Sequence, residues 1–293
     1  MLSRSALTAT LATLAVALTL ATGCGSDDAP APTVPPPPEP PPVGPPPVTL
    51  DLPDEPGHVF LEVREGPGFV PVQYSLGRPP RYAVTVGGEL YSEGPTIEIF
   101  PGPLLPNIQV GRLAAEDLAA IIEATAATGI SQLGEVNIPQ PTTGPVIADA
   151  PIYEVVLRDR QGSHLLRIEA LGSISHTDPR VIAVRELMER LDQAAADTAA
   201  EAYRGERVQV YVSEGPMPPE PSVLNERPWP LPDPPPGDED AEGFECRVYE
   251  GQVAAGLLET FADANHGTRW DYHGVLHQIL ARSLLPHEEG CST

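Results

Sequence analysis

IYEVVLRDRQ GSHLLRIEAL GSISHTDPRV IAVRELMERL, residues 152–191, changes its hydrophobic period once, and that change sets the fold class. Ile152 to Arg158 and His164 to Leu171 alternate apolar and polar side chains, the pattern of half-buried strands. Between them Asp159-Arg160-Gln161-Gly162 reads as a turn. Asp178 then offers an N-cap with Pro179 at the first helical position. Val181, Val184, Leu187, Met188 and Leu191 follow at helical spacing, and the helix is expected to run to about Ala202. A hairpin followed by an amphipathic helix makes the chain α+β, with helices packed on one face of an antiparallel sheet.

Upstream the same grammar recurs. His58 to Glu65 (HVFLEVRE) is strand-like, with Val59, Leu61 and Val63 assigned to one face. Phe69 to Leu76 is a second candidate strand. Arg81 to Val86 and Glu89 to Ser92 flank Gly87-Gly88, a hairpin signal, and Thr96 to Phe100 reads as another short strand. Leu113 to Thr128 switches to helical period, with Leu118, Ile121, Ile122 and Ala126 on one face and Gly129 as the stop.

Downstream, VQVYVSEGP (208–216) echoes VFLEVREGP (59–67) as V-x-x-x-V-x-E-G-P. Val253, Leu257 and Phe261 repeat the helix spacing, and Thr268 to Tyr272 with Val275 to Leu284 read as a closing hairpin. The expectation is two degenerate α+β halves, residues 50–204 and a smaller 205–293. The smaller half carries a Pro-rich, acidic excursion over residues 216–243. Trp229, in RPWPLP, either pins that excursion onto the body or waits for a ligand.

Composition narrows the chemistry. All 17 basic residues are arginine, so Schiff-base, P-loop-lysine and Ser-Lys mechanisms are excluded. The net charge of −24 argues against nucleic acid or an anionic membrane surface as a partner, since either needs a basic face.

Residues 1–24, MLSRSALTATLATLAVALTLATGC, have a lone Arg4, an apolar run from Ala6 to Leu20, then Ala21, Thr22, Gly23 and Cys24. The apolar run is too short to span a bilayer comfortably. The stretch resembles a bacterial lipoprotein signal peptide, with Ala21 standing where leucine is commonest. That resemblance implies cleavage after residue 23 and a diacylglyceryl and N-acyl (palmitate-type) anchor on Cys24, facing the extracytoplasmic side of the cell membrane. Two or more acyl chains meet the requirement for stable anchoring. Residues 24–49 then form a disordered spacer, because Ala29 to Val48 hold 12 prolines and little to bury. In polyproline form 20 residues would reach ~60 Å. Cys246 and Cys291 are the remaining pair, and an exported chain is expected to join them as a disulfide.

Candidate chemistry is sparse. His273 and His277 form an H-x-x-x-H pair that could chelate a metal, with Asp271 and Glu288 as possible oxygen donors. A turn at Gly274 would separate the pair. Asp238 to Gly243 opens like a calcium loop, but Tyr249 stands where the bidentate Glu is needed. Neither G-x-S-x-G nor H-E-x-x-H occurs. Ser173, Ser175 and His176 lie close together, but the adjoining Asp178-Pro179 reads as helix punctuation. No cofactor is expected.

EGPGFVP (Glu65 to Pro71), PGPLLP (Pro101 to Pro106), ANHGTRW (Ala264 to Trp270) and LLP (Leu284 to Pro286) before Cys291 resemble a set of uncharacterised lipoproteins from high-GC bacteria. The resemblance implies a tethered α+β exoprotein and assigns no active residue. The function expected is a non-catalytic, lipid-anchored binding or accessory domain, with an envelope protein as candidate partner. Phe69, Val70, Trp229 and Trp270 are the residues expected to form its apolar contact patch. The alternative is an envelope hydrolase or metal-binding protein using the C-terminal His/acid cluster. A secreted inhibitor presenting the 216–243 loop is a third class.

Overall fold

Val59–Glu65 (β1) lies between two antiparallel neighbours in an eight-stranded sheet, and its side chains decide what each face of that sheet can cover. The computed structural model describes residues 49–66, 73–96, 99–142, 144, 146–213, 225–237 and 245–291. The expectations for Cys24, the spacer up to residue 48, Phe69, Val70 and the acidic stretch 238–243 lie outside those residues. The chain from Pro46 onward forms one unit.

After β1 come a single helical turn, Gln73–Leu76 (α1), then Tyr82–Thr85 (β2), Glu89–Glu93 (β3) and Ile108–Arg112 (β4). Ala115–Ala127 (α2) follows, then a 3₁₀ turn at Ile130–Gln132, Glu135–Ile138 (β5), Ile152–Asp159 (β6), Gly162–Glu169 (β7), Pro179–Asp197 (α3) and Ala200–Ala202 (β8). The sheet order is β5-β7-β6-β1-β2-β3-β4-β8, antiparallel except for β5 on β7. The second sheet holds Arg207–Ser213 (β9), Asn225–Pro228 (β10), Glu245–Glu250 (β11), Thr268–Tyr272 (β12) and Val275–Ser283 (β13), in the order β10-β12-β13-β9-β11. Gly251–Phe261 (α4) leads out of β11. The fold is α+β, mostly antiparallel, with two sheets.

The segment that set the fold class behaves as its period requires. In the β6–β7 turn Asp159 Oδ1 accepts from the backbone N–H groups of Gln161 and Gly162, and Gly162 takes φ 137°. Asp178 caps α3 by accepting from the Arg180 N–H at 2.9 Å, so it serves the helix rather than a Ser173–Ser175–His176 site. The helix stops at Asp197, short of Ala202, because residues 200–202 pair with β4 as an edge strand. The stretch expected as a strand from Phe69 to Leu76 is helical over its described part. Ile99 and Phe100, expected in a strand, lie in the loop between β3 and β4.

β1 departs from simple alternation at its start. The pairing with β2 slips between Val59 and Leu61, a bulge that turns Val59 to the opposite face from Leu61 and Val63. Leu61 and Val63 join Val155, Leu166, Ile121, Val184 and Leu187 in the core beneath α2 and α3. Val59 instead packs with Ala83, Tyr91, Ile108 and Leu285. In the second sheet Val208, Val210, Val212, Ile279 and Ala281 face α4, packing on Leu257 and Phe261. The V-x-x-x-V echo thus falls on an inner strand of each sheet. Each sheet turns its apolar side to its own helices, which leaves the two other faces toward each other.

Candidate functional site

Those two facing surfaces carry the charge that an isolated half-exposed sheet would give to water. On the first sheet, Glu62 lies opposite Val156 and Ala83, and Arg64 opposite Glu154, which in turn pairs with Arg167. On the second, Arg282 lies opposite Gln209, and Leu280 opposite Tyr211. Residues 284–291, which follow β13, run between them. Tyr203 donates to the Leu284 carbonyl at 3.0 Å, and Arg207 Nη2 reaches the carbonyls of Pro286 and Glu288 at 3.1 and 2.6 Å. The Cys291 N–H donates to Gln209 Oε1 at 3.0 Å, and a Cys246–Cys291 disulfide joins the segment to β11. Gly290 sits at φ 78°, where an added Cβ would stand 2.7 Å from both Leu284 and Val248.

This segment brings His287 and Glu288 onto the sheets. Glu62, only 1% exposed, accepts from Arg64, from Arg158 Nη2 at 2.9 Å and from His287 Nε2 at 2.6 Å. Glu288 is gripped by the Arg282 fork at 2.6 and 3.0 Å, by Arg64 at 2.9 Å and by the Leu285 N–H at 2.9 Å. Arg64 therefore bridges the two carboxylates. Burial alone would push the Glu62 carboxyl up, but the His287 hydrogen bond and the Arg64 and Arg158 charges outweigh it and hold it well below the usual carboxylate range. Glu288 is likewise held low, burial being overcome by Arg282, Arg64 and the Leu285 N–H. Burial works against the Arg64 charge, and its two carboxylates more than compensate, so its pKa rises.

A cleft of about 760 Å³ opens beside this network. Arg64, Arg78, Arg158, Arg167 and Arg282 line it, with Glu62, Glu154, Glu288, Glu289 and His287 among the other polar groups. Arg158 Nη1, Arg282 Nε and His287 Nδ1 are buried without a hydrogen-bond partner among the described residues. Arg78 is exposed, and its guanidinium pairs with no described residue. Arginine does not deprotonate in proteins, and a carboxylate held low stays ionised near neutral pH. The cleft therefore presents mostly fixed charge, five arginines beside four carboxylates, with Arg78 the guanidinium those carboxylates leave unpaired.

The residues named from sequence lie elsewhere. Trp270 is fully buried and Trp229 nearly so, and both pack with Phe261 at ring separations of 5.0 and 6.2 Å. They cannot form a surface patch: they are the centre of the second core, and Trp229 Nε1 donates to the Asp233 carbonyl at 2.9 Å. Of the two roles considered for Trp229, it takes that of a pin. His273 and Gly274 make the β12–β13 turn, both at positive φ, while His277 stands opposite Trp270 on β13. Asp271 Oδ1 is engaged by the Gly274 N–H, and Glu288 belongs to the arginine network. Among the described residues no three His, Cys, Asp or Glu side chains are placed to hold a metal. No described helix is long and apolar enough to cross a membrane.

The sequence reading does not find the arginine cleft, although its trace is present as charges on one face of β1 (Glu62, Arg64) and of β6 (Glu154, Arg158). Period-two charge ordinarily marks a solvent face, and nothing local announces that a second sheet covers it. No family model, curated protein or solved structure matches the chain.

Proposed function

We propose that this protein is a non-catalytic, extracytoplasmic binding or accessory module, anchored by lipid on Cys24 through the proline-rich spacer, and that the cleft between its sheets binds an anionic group. The observation that carries the reading is the gathering of five arginines around one cleft in a chain of net charge −24. Arg78 supplies an uncommitted guanidinium at the surface of that cleft, and planar, bidentate recognition of carboxylate or phosphate is what arginine does best. The buried Glu62–Arg64–Glu288–Arg282 chain fixes the surrounding charges in place, so that little side-chain ordering remains to be done on binding.

Isothermal titration of the purified chain with acetate and with inorganic phosphate tests this. Saturable binding of either anion, weakened about tenfold or more by Arg78→Ala, is the expected result. Absence of saturation in the millimolar range for both anions, or equal binding by Arg78→Ala, would overturn it.

A further inference from the structure

A second cleft, of about 470 Å³, adjoins the first, and its lining is of the opposite character. Pro79, Pro95, Pro103, Leu104, Leu105 and Leu280 supply its apolar wall. Apart from Arg78, its polar members are Thr96, Asn107, the exposed Glu93 and His266, whose pKa burial lowers. The loop between β3 and β4 that forms part of this wall also holds Ile99 and Phe100, exposed at 57% and 83%. They are two of the few large apolar side chains that the described surface leaves uncovered.

Two chain segments run from one cleft into the other. Ser75 and Leu76 line the arginine cleft, Gly77 and Pro79 line the apolar one, and Arg78 lines both. On β13, Leu280 faces the apolar cleft and Arg282 the cationic one, two residues and ~7 Å apart on the same face. A ligand whose anionic head pairs with Arg78 can therefore lay an apolar chain along Pro79, Leu105 and Leu280 without leaving the protein.

We propose that the bound species is a single-chain anionic amphiphile, its carboxylate or phosphate held at Arg78 and its hydrocarbon chain in the Pro79–Leu105–Leu280 cleft. This rests on the anion-binding reading of the first cleft and adds the identity of the ligand's other end. A small free anion would leave the second cleft without a role. A neutral hydrocarbon would leave Arg78 unpaired.

The test is isothermal titration of the full chain with decanoate, acetate and decanol. Decanoate should bind at least about tenfold more tightly than either of the others. Leu105→Gln and Leu280→Gln, both in the wall of the apolar cleft, should each weaken decanoate severalfold and leave acetate unchanged. Arg78→Ala should weaken decanoate and acetate alike. Equal affinity for decanoate and acetate would overturn the amphiphile proposal while leaving the anion site standing. Equal affinity for decanoate and decanol would overturn it by removing the head group from recognition. If neither decanoate nor acetate binds, the anion-binding reading itself fails.

Discussion

Glu62 and His287 lie 225 positions apart in sequence and 2.6 Å apart between Oε2 and Nε2, so a strand near the start of the folded chain is finished by a residue near its end. Glu62 also compensates Arg64 and Arg158. Removing one member of a buried ionic cluster leaves its partners desolvated and uncompensated, typically at a cost of ~3–5 kcal/mol. Glu62→Gln should therefore lower stability by about 3 kcal/mol or more, read from the midpoint of urea unfolding. A change below about 0.5 kcal/mol would show that the cluster is solvated in solution.

The same carboxylates set a pH dependence. Both Glu62 and Glu288 are held below the ordinary carboxylate value of 4.5 in the folded chain. The unfolded chain therefore binds protons first as pH falls, so their stabilisation is full above about 4.5 and drains away below it. Urea midpoints measured from pH 7 down to pH 3 should fall steeply in the acid range. In Glu62→Gln the acid slope should be shallower, because one of the two depressed groups is gone.

The disulfide closes a loop with a sequence separation of 45 and pins the segment carrying His287 and Glu288. In the chain-entropy model such a loop contributes ~4 kcal/mol, less where the reduced chain keeps structure. Cys246→Ser with Cys291→Ser should lower the urea midpoint accordingly. It should also raise proteolytic cleavage within residues 284–291 before the rest of the chain is cut. Unchanged protection of that segment would mean that its arginine contacts suffice without the covalent tie.

Trp270 offers a test of core against surface. With the side chain fully buried against Phe261 and Trp229, Trp270→Ala should cost about 3–5 kcal/mol, seen by thermal or urea unfolding. A contact residue on an exposed patch would change stability by less than about 0.5 kcal/mol.

How far the sequence could be read depends on where each signal resides. The β6–β7 hairpin, the Asp178–Pro179 helix start and the His273–Gly274 turn are local: a few neighbouring residues specify each, and all three appear in the structure. Strict alternation puts Val59 on the face of Leu61 and Val63, and the structure turns it to the other face because the bulge between it and Leu61 is set by pairing with β2, not by β1 alone. Trp270 belongs to the core rather than to a contact patch, and Trp229 pins its Pro-rich stretch onto that core, because neither residue's neighbours in sequence show what folds over it. The arginine cleft needed the most distant information. Glu62 and Arg64 look like an ordinary wet face until the second sheet and residues 284–291 are laid against them.

Placing Leu285, His287 and Glu288 between the sheets also orders events in time. Val59, Ala83 and Tyr91 pack with Ile108 and Tyr203 but gain their last apolar neighbour only with Leu285, and Glu62 lacks one of its three donors until His287 arrives. Those residues come after nearly everything else described, so the first sheet can pair its strands and cover its apolar core early, while its charged face is closed only by contacts of long span. Contacts of such long span are slow to form, since loop closure must precede their reward.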